Sequence, residues 1–316
     1  MTAAGSPARL ARYVSPLRYP GGKARMAPWL AEAFAVQTSN MDVEVWIEPF
    51  AGGAGAGLTL LDAEAVSEVW LTEKHPAIAA MWRAVLDDGE ALARRVETTS
   101  ADMTLWGWAL EQVTAAQAGQ TLDDRELGFA ALVVNRCSRS GIIAPRVGPI
   151  GGKSQEGRWT VGSRWNPEGL AARIRHVASM SGSIRFTEGD AVARIEELDG
   201  SVGIEDEVML FVDPPYCREG NRLYANGMTE DDHQRLADAL NGCASRWLLT
   251  YDDEPLVAEV LYPERRVLAY YIPNTANRAR VATEYAVLSD DLDLPVGLQL
   301  LPKTAEAYWV RDVVAA

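Results

Sequence analysis

The sequence predicts an α/β fold: a mainly parallel sheet covered on both faces, closed by an antiparallel hairpin and interrupted by an inserted, mostly helical segment. Three observations predict it. Strand-like runs alternate with runs of helical spacing, the first strand opens onto a glycine-rich turn, and the alternation breaks off between about Ala84 and Trp165 before resuming. With 316 residues, 48% of them hydrophobic, the chain has ample material for a large core. Residues 1–83 and 166–316 are expected to form one discontinuous domain, and residues 84–165 an inserted one.

Taken in order, Val43, Val45 and Ile47 alternate in "VEVWIE", the period of a strand, and "PFAGGAGAGLTLL" follows as a tight turn opening a helix. A second strand, "SEVWLTE", ends on Glu73, and "HPAIAAMWRAVLDD" continues with Ile78, Met81, Trp82 and Val85 on one helical face. The insertion then reads as helical stretches from Ala91 to Ala118 and from Asp124 to Val134, followed by the basic loop "SGIIAPRVGPIGGKSQEGRWTVGSRW". Strands resume with "SIRFTEGD" and "EVMLFVDPPY". Thr229 and Asp232 have the spacing of a capping pair before the helix "EDDHQRLADAL", which stops at Gly242. "RWLLTY" is the next strand, and "VLAYYIP" with "TEYAVLSD" forms the closing hairpin around "NTANRARVA".

The formal net charge of -14 argues against a generic polyanion binder. The charge is uneven, however. From Asn135 to His176 there are eight Lys or Arg against two acids, Glu156 and Glu168. No apolar run approaches the ~18 residues of a membrane span, and "MTAAGSPARLARYV" lacks the apolar centre of a signal peptide, so a cytoplasmic protein with no membrane partner is expected. Cys137, Cys217 and Cys243 are scattered and lack metal-ligand spacing, so reduced thiols and no metal are expected. His75, His176 and His233 form no catalytic pattern.

Ligands of open α/β sheets sit beyond the carboxyl ends of the strands, where Glu48, Glu73, Asp190 and Asp213 form a rim of acids. Gly52, Gly53, Gly55 and Gly57 allow close backbone approach, and Glu73, 21 residues after Gly52, can accept two hydroxyl hydrogen bonds. A nicotinamide, a flavin or S-adenosylmethionine would all fit this much. The step "FVDPPYCREG" discriminates. Pro214 and Pro215 stiffen the backbone and offer carbonyls without N–H donors, so Asp213 and the Pro214 carbonyl can both accept from one planar amino group while Tyr216 supplies a stacking face. That set suits the exocyclic NH2 of a base taken out of its stack.

With "RYPGGK", "EPFAGGAG", "TEKHP", "NR" followed by "SG", "TEGD", "DPPY" and "TEYAVLSD" in that order, the chain from Ser15 to about Asp290 resembles the Dam-type (D12 class) S-adenosylmethionine-dependent DNA N6-adenine methyltransferases. The resemblance implies a Rossmann-like methyltransferase sheet with an inserted target-recognition domain. It implies that Tyr19 and Lys23 contact the cofactor, S-adenosylmethionine, from an N-terminal arm, with Tyr19, where tryptophan is commoner, stacking or packing. Phe50, Gly52 and Gly53 would line the methionine and ribose, Glu73 would hold the ribose hydroxyls, and Asp190 would lie beside the adenine. Asp213 and Tyr216, with Pro214 and Pro215, would face both the methyl group and the target base. The insertion would carry DNA recognition, in agreement with its positive charge. Arg136 and Arg139 would reach phosphates or guanine edges, and Lys153, Arg158 and Arg164 would add contacts beside Trp159 and Trp165. Arg278 and Arg280 would supply another.

The implied reaction is direct transfer of the sulfonium methyl to adenine N6 in double-stranded DNA, without metal or covalent intermediate. The expected protein is a monomer, and a cognate restriction endonuclease is a partner that the resemblance allows. The alternatives are methylation of cytosine N4, RNA adenine or guanine N2, a silent DNA-binding relative, and a nicotinamide oxidoreductase. The last is disfavoured because "DPPY" has no hydride-transfer role and the strict GxGxxG spacing is missing. Two departures stand out: Ala54 replaces a common glycine, and "NRCSRSGIIAPRVG" lacks the aromatic and asparagine residues that many relatives carry there, so no recognition sequence is implied.

Overall fold

The computed structural model describes residues 14–19, 21–40, 43–199, 207–217, 227–274 and 280–312. Arg278 and the side chain of Arg280, expected above to touch phosphate, lie outside the described residues.

The elements in chain order are α1 (Ala27–Asn40), β1 (Val45–Glu48), α2 (Gly55–Asp62), β2 (Glu68–Glu73), α3 (Pro76–Glu97), α4 (Met103–Gln117), α5 (Asp124–Cys137), α6 (Pro167–Ser179), β3 (Ile184–Glu188), α7 (Ala191–Asp199) and β4 (Val208–Val212). They continue as α8 (Glu230–Gly242), β5 (Arg246–Asp252), β6 (Arg266–Asn274), β7 (Arg280–Leu288) and β8 (Tyr308–Arg311). One eight-stranded sheet has the order β3-β2-β1-β4-β5-β7-β6-β8. Its first five strands pair in parallel, and β7, β6 and β8 close it through antiparallel pairs. The fold is thus the mainly parallel Rossmann-like sheet with a closing hairpin that the sequence predicts.

β1 and β4 are buried along their whole length, as central parallel strands are. Their side chains divide with period two. Val45, Ile47, Val208, Leu210 and Val212 pack against Val192 and Ile195 of α7 and Leu236 and Leu240 of α8. Trp46, Met209 and Phe211 face the opposite side, with Leu30 and Phe34 of α1 and Leu58 of α2, and the Trp46 and Phe211 rings stack at 5.3 Å between centroids.

That second core continues without a break into α3, α4, α5 and α6. The boundary expected at residue 84 falls inside α3, whose non-helical residue is Asp88 (φ -150°, ψ 56°). The stretch Ala91 to Ala118, expected as one helical run, is divided between the end of α3 and α4. Asp102 starts α4 by accepting from the Leu105 N–H, and a cap of this kind fixes a new helix start. The Thr229–Asp232 capping box is present at α8. Four elements have no counterpart in the sequence reading: α1, whose apolar residues are not confined to one stripe, α6, α7, and β8, four residues long.

Gly128 allows a close approach of α5 to α3, where a Cβ would stand 2.8 Å from the Ala80 carbonyl oxygen. Gly128→Val should therefore lower the stability of the whole molecule by about 1–3 kcal/mol. Thermal unfolding should give a single transition at a lower temperature; an unchanged midpoint would show that the two helices can separate at no cost.

Candidate active site

In strand order, the chain leaves β1 towards β2 and β3 and returns to β4 on β1's other side. The carboxyl ends of β1 and β4 therefore flank the switch point at which open α/β sheets bind ligands. After β1 the Ala51 N–H bonds the Thr72 carbonyl at the end of β2, and Gly52 and Ala54 take left-handed conformations (φ 48° and 46°) that turn the chain into α2. Trp82 of α3 donates to the Gly52 carbonyl at 3.0 Å. The Tyr19 ring lies across this turn: a Cβ on Gly52 would meet Tyr19 Cζ at 2.6 Å, so only glycine satisfies both the conformation and the contact.

Glu73 ends β2 with its carboxylate held by backbone donors. Gly52 N–H bonds Oε2 at 3.0 Å and His75 N–H bonds Oε1 at 2.8 Å, which leaves each oxygen a further acceptor site. Burial pushes the Glu73 carboxyl above its ordinary range against these hydrogen bonds. The carboxylate borders a cavity of about 110 Å³ whose walls include Phe50, Ile78, Ile143 and Met228. A diol-bearing group with a flat apolar end, such as an adenosine, fits an acceptor pair set in apolar walls. Asp190 flanks this cavity without lining it. It caps α7 by accepting from Val192 and Ala193 N–H groups, at 3.1 and 3.2 Å, and its neighbours Gly189 and Ala191 form the wall.

Tyr19, Phe50 and Asp213 also border a larger cleft of about 740 Å³, with Lys23, Gly53, Pro214 and Tyr216 in its wall. Lys23, 8% exposed, projects its ammonium into a polar cluster formed by residues just after β4 and on β5 and β7. Its Nζ donates to Asp213 Oδ1 (2.7 Å), the Tyr216 hydroxyl (2.7 Å) and the Gly21 carbonyl (3.0 Å), and lies 3.8 Å from Glu284. Burial pulls the Lys23 pKa down, but the Asp213 and Glu284 carboxylates outweigh it and hold the group above its ordinary value. Tyr216 donates to Glu284 Oε2 at 2.9 Å, and Tyr270, directly opposite Glu284 across the β6–β7 pair, donates to the same oxygen. Burial, with Glu284 and Asp213 next, keeps the Tyr216 phenol well above its ordinary pKa and hence protonated.

Thr250 of β5 donates to Asp213 Oδ1 at 2.7 Å, the oxygen that Lys23 also uses. Among the described residues no bond reaches Oδ2, and Asp213 is 24% exposed to the cleft. The carboxylate is thus fixed through one oxygen with the other turned over to a ligand. Two carboxylates to one ammonium also leave the cluster negative, an environment that favours a positively charged group.

Glu48, at the end of β1, lies in the wall of the same cleft and is buried under α2, where its Oε1 accepts from Gly57 N–H and from Trp46 Nε1. Burial, helped by the nearby Asp213 charge, pushes its carboxyl up to about 7 against those two hydrogen bonds.

The basic residues between Asn135 and His176 do not act as one patch. Arg175 is spent on Glu90 and Glu97 (2.7 and 2.6 Å), on a face shared with α3. Arg136 is not at the surface, where reaching phosphate was expected; it is 6% exposed in the cleft wall, with Nη2 on the Pro16 carbonyl. Burial, then Arg173 and Arg18, lowers its pKa to about 9, which leaves it charged at neutral pH. The preceding Asn135 ties the N-terminal arm to the insertion through Arg18 and Gly141. Arg139, Arg158 and Arg164 are exposed and line a second cleft, whereas exposed Lys153 lines neither. Among the described residues no carboxylate forms an ion pair with Arg18, Arg136, Arg139, Arg158, Arg164 or Arg173.

The fold brings the sequence-predicted Lys23, Gly52, Glu73, Asp213 and Tyr216 to two adjoining cavities. Sequence reasoning missed Thr250, Tyr270 and Glu284 as parts of the site. "TEYAVLSD" contained the only signal, an acid in an otherwise apolar strand.

Residues 19–111 match the family model of the D12 class N6 adenine-specific DNA methyltransferases. The matched stretch contains Tyr19, Lys23, the glycine turn and Glu73, and ends within α4; Asp213 to Tyr216 lie beyond it. It supports methyl transfer as the class of chemistry. No curated protein matches the chain. Among solved structures, the rRNA methyltransferase AviRa from Streptomyces viridochromogenes aligns over 85% of each chain at 16% identity and a TM-score of 0.36. No helix among the described residues is long and apolar enough to cross a membrane, and no group of three metal-ligating side chains occurs among them.

Because the folded pKa of Glu48 lies above that of an unfolded glutamate, its contribution to stability is complete below about 4.5 and is lost as pH rises through about 7. Glu48→Gln should remove this fall. Chemical denaturation at a series of pH values should give a flatter profile for the variant across that window; parallel profiles would show that Glu48 does not titrate there.

Proposed function

We propose that the protein is an S-adenosylmethionine-dependent methyltransferase acting on N6 of an adenine extruded from double-stranded DNA. The observation that carries this reading is the Asp213 carboxylate, fixed through Oδ1 by Lys23 and Thr250 and lining both cavities, with Pro214 and Tyr216 in the wall of the larger one. The match of residues 19–111 to the adenine-specific family model supports the choice of adenine.

Bound S-adenosylmethionine supplies a methyl group on a positively charged sulfur. Glu73 accepts from the ribose hydroxyls, while Phe50, Ile78 and Ile143 cover the adenine ring. The negative cluster around Asp213 and Glu284 favours the sulfonium. Tyr19, pressed on Gly52, separates the nucleoside cavity from the larger cleft and aligns the backbone at the turn.

Adenine N6 is a poor nucleophile because its lone pair is delocalised into the ring. With one amino hydrogen accepted by Asp213 Oδ2 and the other by the Pro214 carbonyl, the nitrogen would pyramidalise towards the methyl group; as the nitrogen–carbon bond forms the carbon–sulfur bond breaks to leave a neutral thioether, and the positive charge gained by N6 beside the carboxylate is discharged by loss of an amino proton to water. Tyr216 offers its ring to the base, and its plane is set by the hydroxyl's bonds to Lys23 and Glu284. Glu284 is a positioning group: it touches neither the amino group nor the cofactor but fixes Tyr216 and balances Lys23. Water exclusion follows from the burial of Lys23, Pro214 and Glu284 behind the reacting atoms. Arg139, Arg158 and Arg164 contact DNA phosphates from the exposed side of the insertion, and Arg136 and Arg173 supply positive potential in the cleft wall.

Single-molecule sequencing of DNA from a host lacking adenine methylation tests the proposal. N6-methyladenine in one short context should appear with the wild-type protein and be absent with Asp213→Ala, which should lower methyl transfer at least about a hundredfold in a folded protein. Glu284→Gln should lower it about tenfold or more and also weaken cofactor binding, since the cluster around Lys23 loses its net negative charge. Unmodified DNA, with tritiated methyl appearing instead in RNA, would move the substrate to RNA and refute the DNA assignment.

The salt dependence of DNA binding gives a separate check. Replacing Arg139, Arg158 and Arg164 by Gln should reduce the slope of log K against log salt by up to about 3. An unaltered slope would remove these residues from the phosphate contacts.

A further inference from the structure

The second cleft, about 470 Å³, lies on the exposed side of the insertion and is separate from the position of the methylated base. Arg18, Arg139, Arg158 and Arg164 line it around one aromatic ring, that of Trp159, and it shares Arg18 and Arg164 with the larger cleft. Its size is that of a small-ligand site.

Trp159 is 56% exposed, although an indole is among the costliest side chains to leave in water. The loop that carries it is firmly built. Gln155 donates to the Ile150 and Gly152 carbonyls (2.8 and 2.5 Å) and accepts from Val161 N–H (2.7 Å), which ties together the segments on either side of the ring. Gly151 has φ 84° and lies so close to the Trp159 carbonyl that a Cβ would collide with it. Thr160 and Ser163 form a reciprocal capping box immediately after the ring. A rigid scaffold thus presents an indole face to solvent rather than folding it inward.

The surroundings of the ring specify the ligand. The Arg158 guanidinium lies 5.2 Å from the Trp159 ring centroid, and no carboxylate among the described residues pairs with any of the four arginines. Arg18 is in addition partly buried and close to Arg164, so two positive charges stand together without compensation. A flat ring amid unpaired guanidiniums matches a flat, π-rich group bearing negative charge. A nucleotide has both parts.

We propose that Trp159 and the arginines around it form a second nucleotide subsite, which stacks one unpaired base on the indole and takes its phosphate on Arg18 and Arg164. Extruding the target adenine leaves its partner base unpaired, and the shared arginines bring this subsite next to the cleft that takes the adenine. The subsite therefore holds the nucleotide left behind. This rests on the reading of the protein as acting on nucleic acid but not on methyl transfer itself.

The test is binding of a short fluorescein-labelled duplex with one central unpaired thymine, compared with the fully paired duplex, measured at low salt by anisotropy. Wild type should prefer the bulged duplex by about tenfold. Trp159→Phe should keep most of that preference, and Trp159→Ala should bind the two duplexes alike. Preference surviving in Trp159→Ala would overturn the subsite and place the bulged base elsewhere. Failure of wild type to bind either duplex would instead refute the nucleic-acid reading beneath it.

Discussion

One buried ammonium organises the centre of this molecule. Lys23 Nζ comes from the N-terminal arm and meets Asp213 after β4, Tyr216 three residues on and Glu284 on β7. A charge taken out of water is tolerated only when its partners satisfy it, and the same holds for the partners. With Lys23 gone, two carboxylates would face each other across a dry interior; with either carboxylate gone, the ammonium would lose part of what keeps it charged. The arm and two non-adjacent strands are therefore held in one arrangement, and the free oxygen of Asp213 and the plane of Tyr216 follow from it.

How far the site could be read from the sequence depended on whether its residues are arranged by local or by distant structure. Gly52, Glu73 and Asp213 were legible because each stands at the end of its own strand, and a strand end can be read from a few neighbouring residues. Glu284, Tyr270 and Thr250 were not. Their convergence requires β7 to lie between β5 and β6, and no local periodicity encodes that order. Tyr270 and Glu284 face each other only once the hairpin register is set. Arg136 illustrates the reverse difficulty: a charged residue closing a helix reads as exposed, yet α5 is buried on nearly every side, and its last turn carries the guanidinium inward.

The insertion is likewise less separate than its composition suggests. Asn135 bonds both Arg18 and Gly141, and Arg136 bonds Pro16, so the arm that ends in Lys23 is gripped by α5 before it reaches the sheet. Among the described residues Arg139, Arg158 and Arg164 have no ion-pair partner while Arg83, Arg95 and Arg175 are matched with acids, so the positive surface is a matter of which cations lack partners more than of how many there are.

The break in α3 at Asp88 has a mechanical meaning. A helix that covers the sheet with one half and supports the insertion with the other could serve as a hinge, since its hydrogen-bond ladder is already interrupted there. But Gly89 sits directly against Ala178 of α6, too close to admit even a methyl group, and α6 runs straight back to β3. The joint is wedged. A wedge of this kind resists bending of α3 at Asp88, so the half of the helix that covers the sheet and the half that carries the neighbouring helices move as one piece.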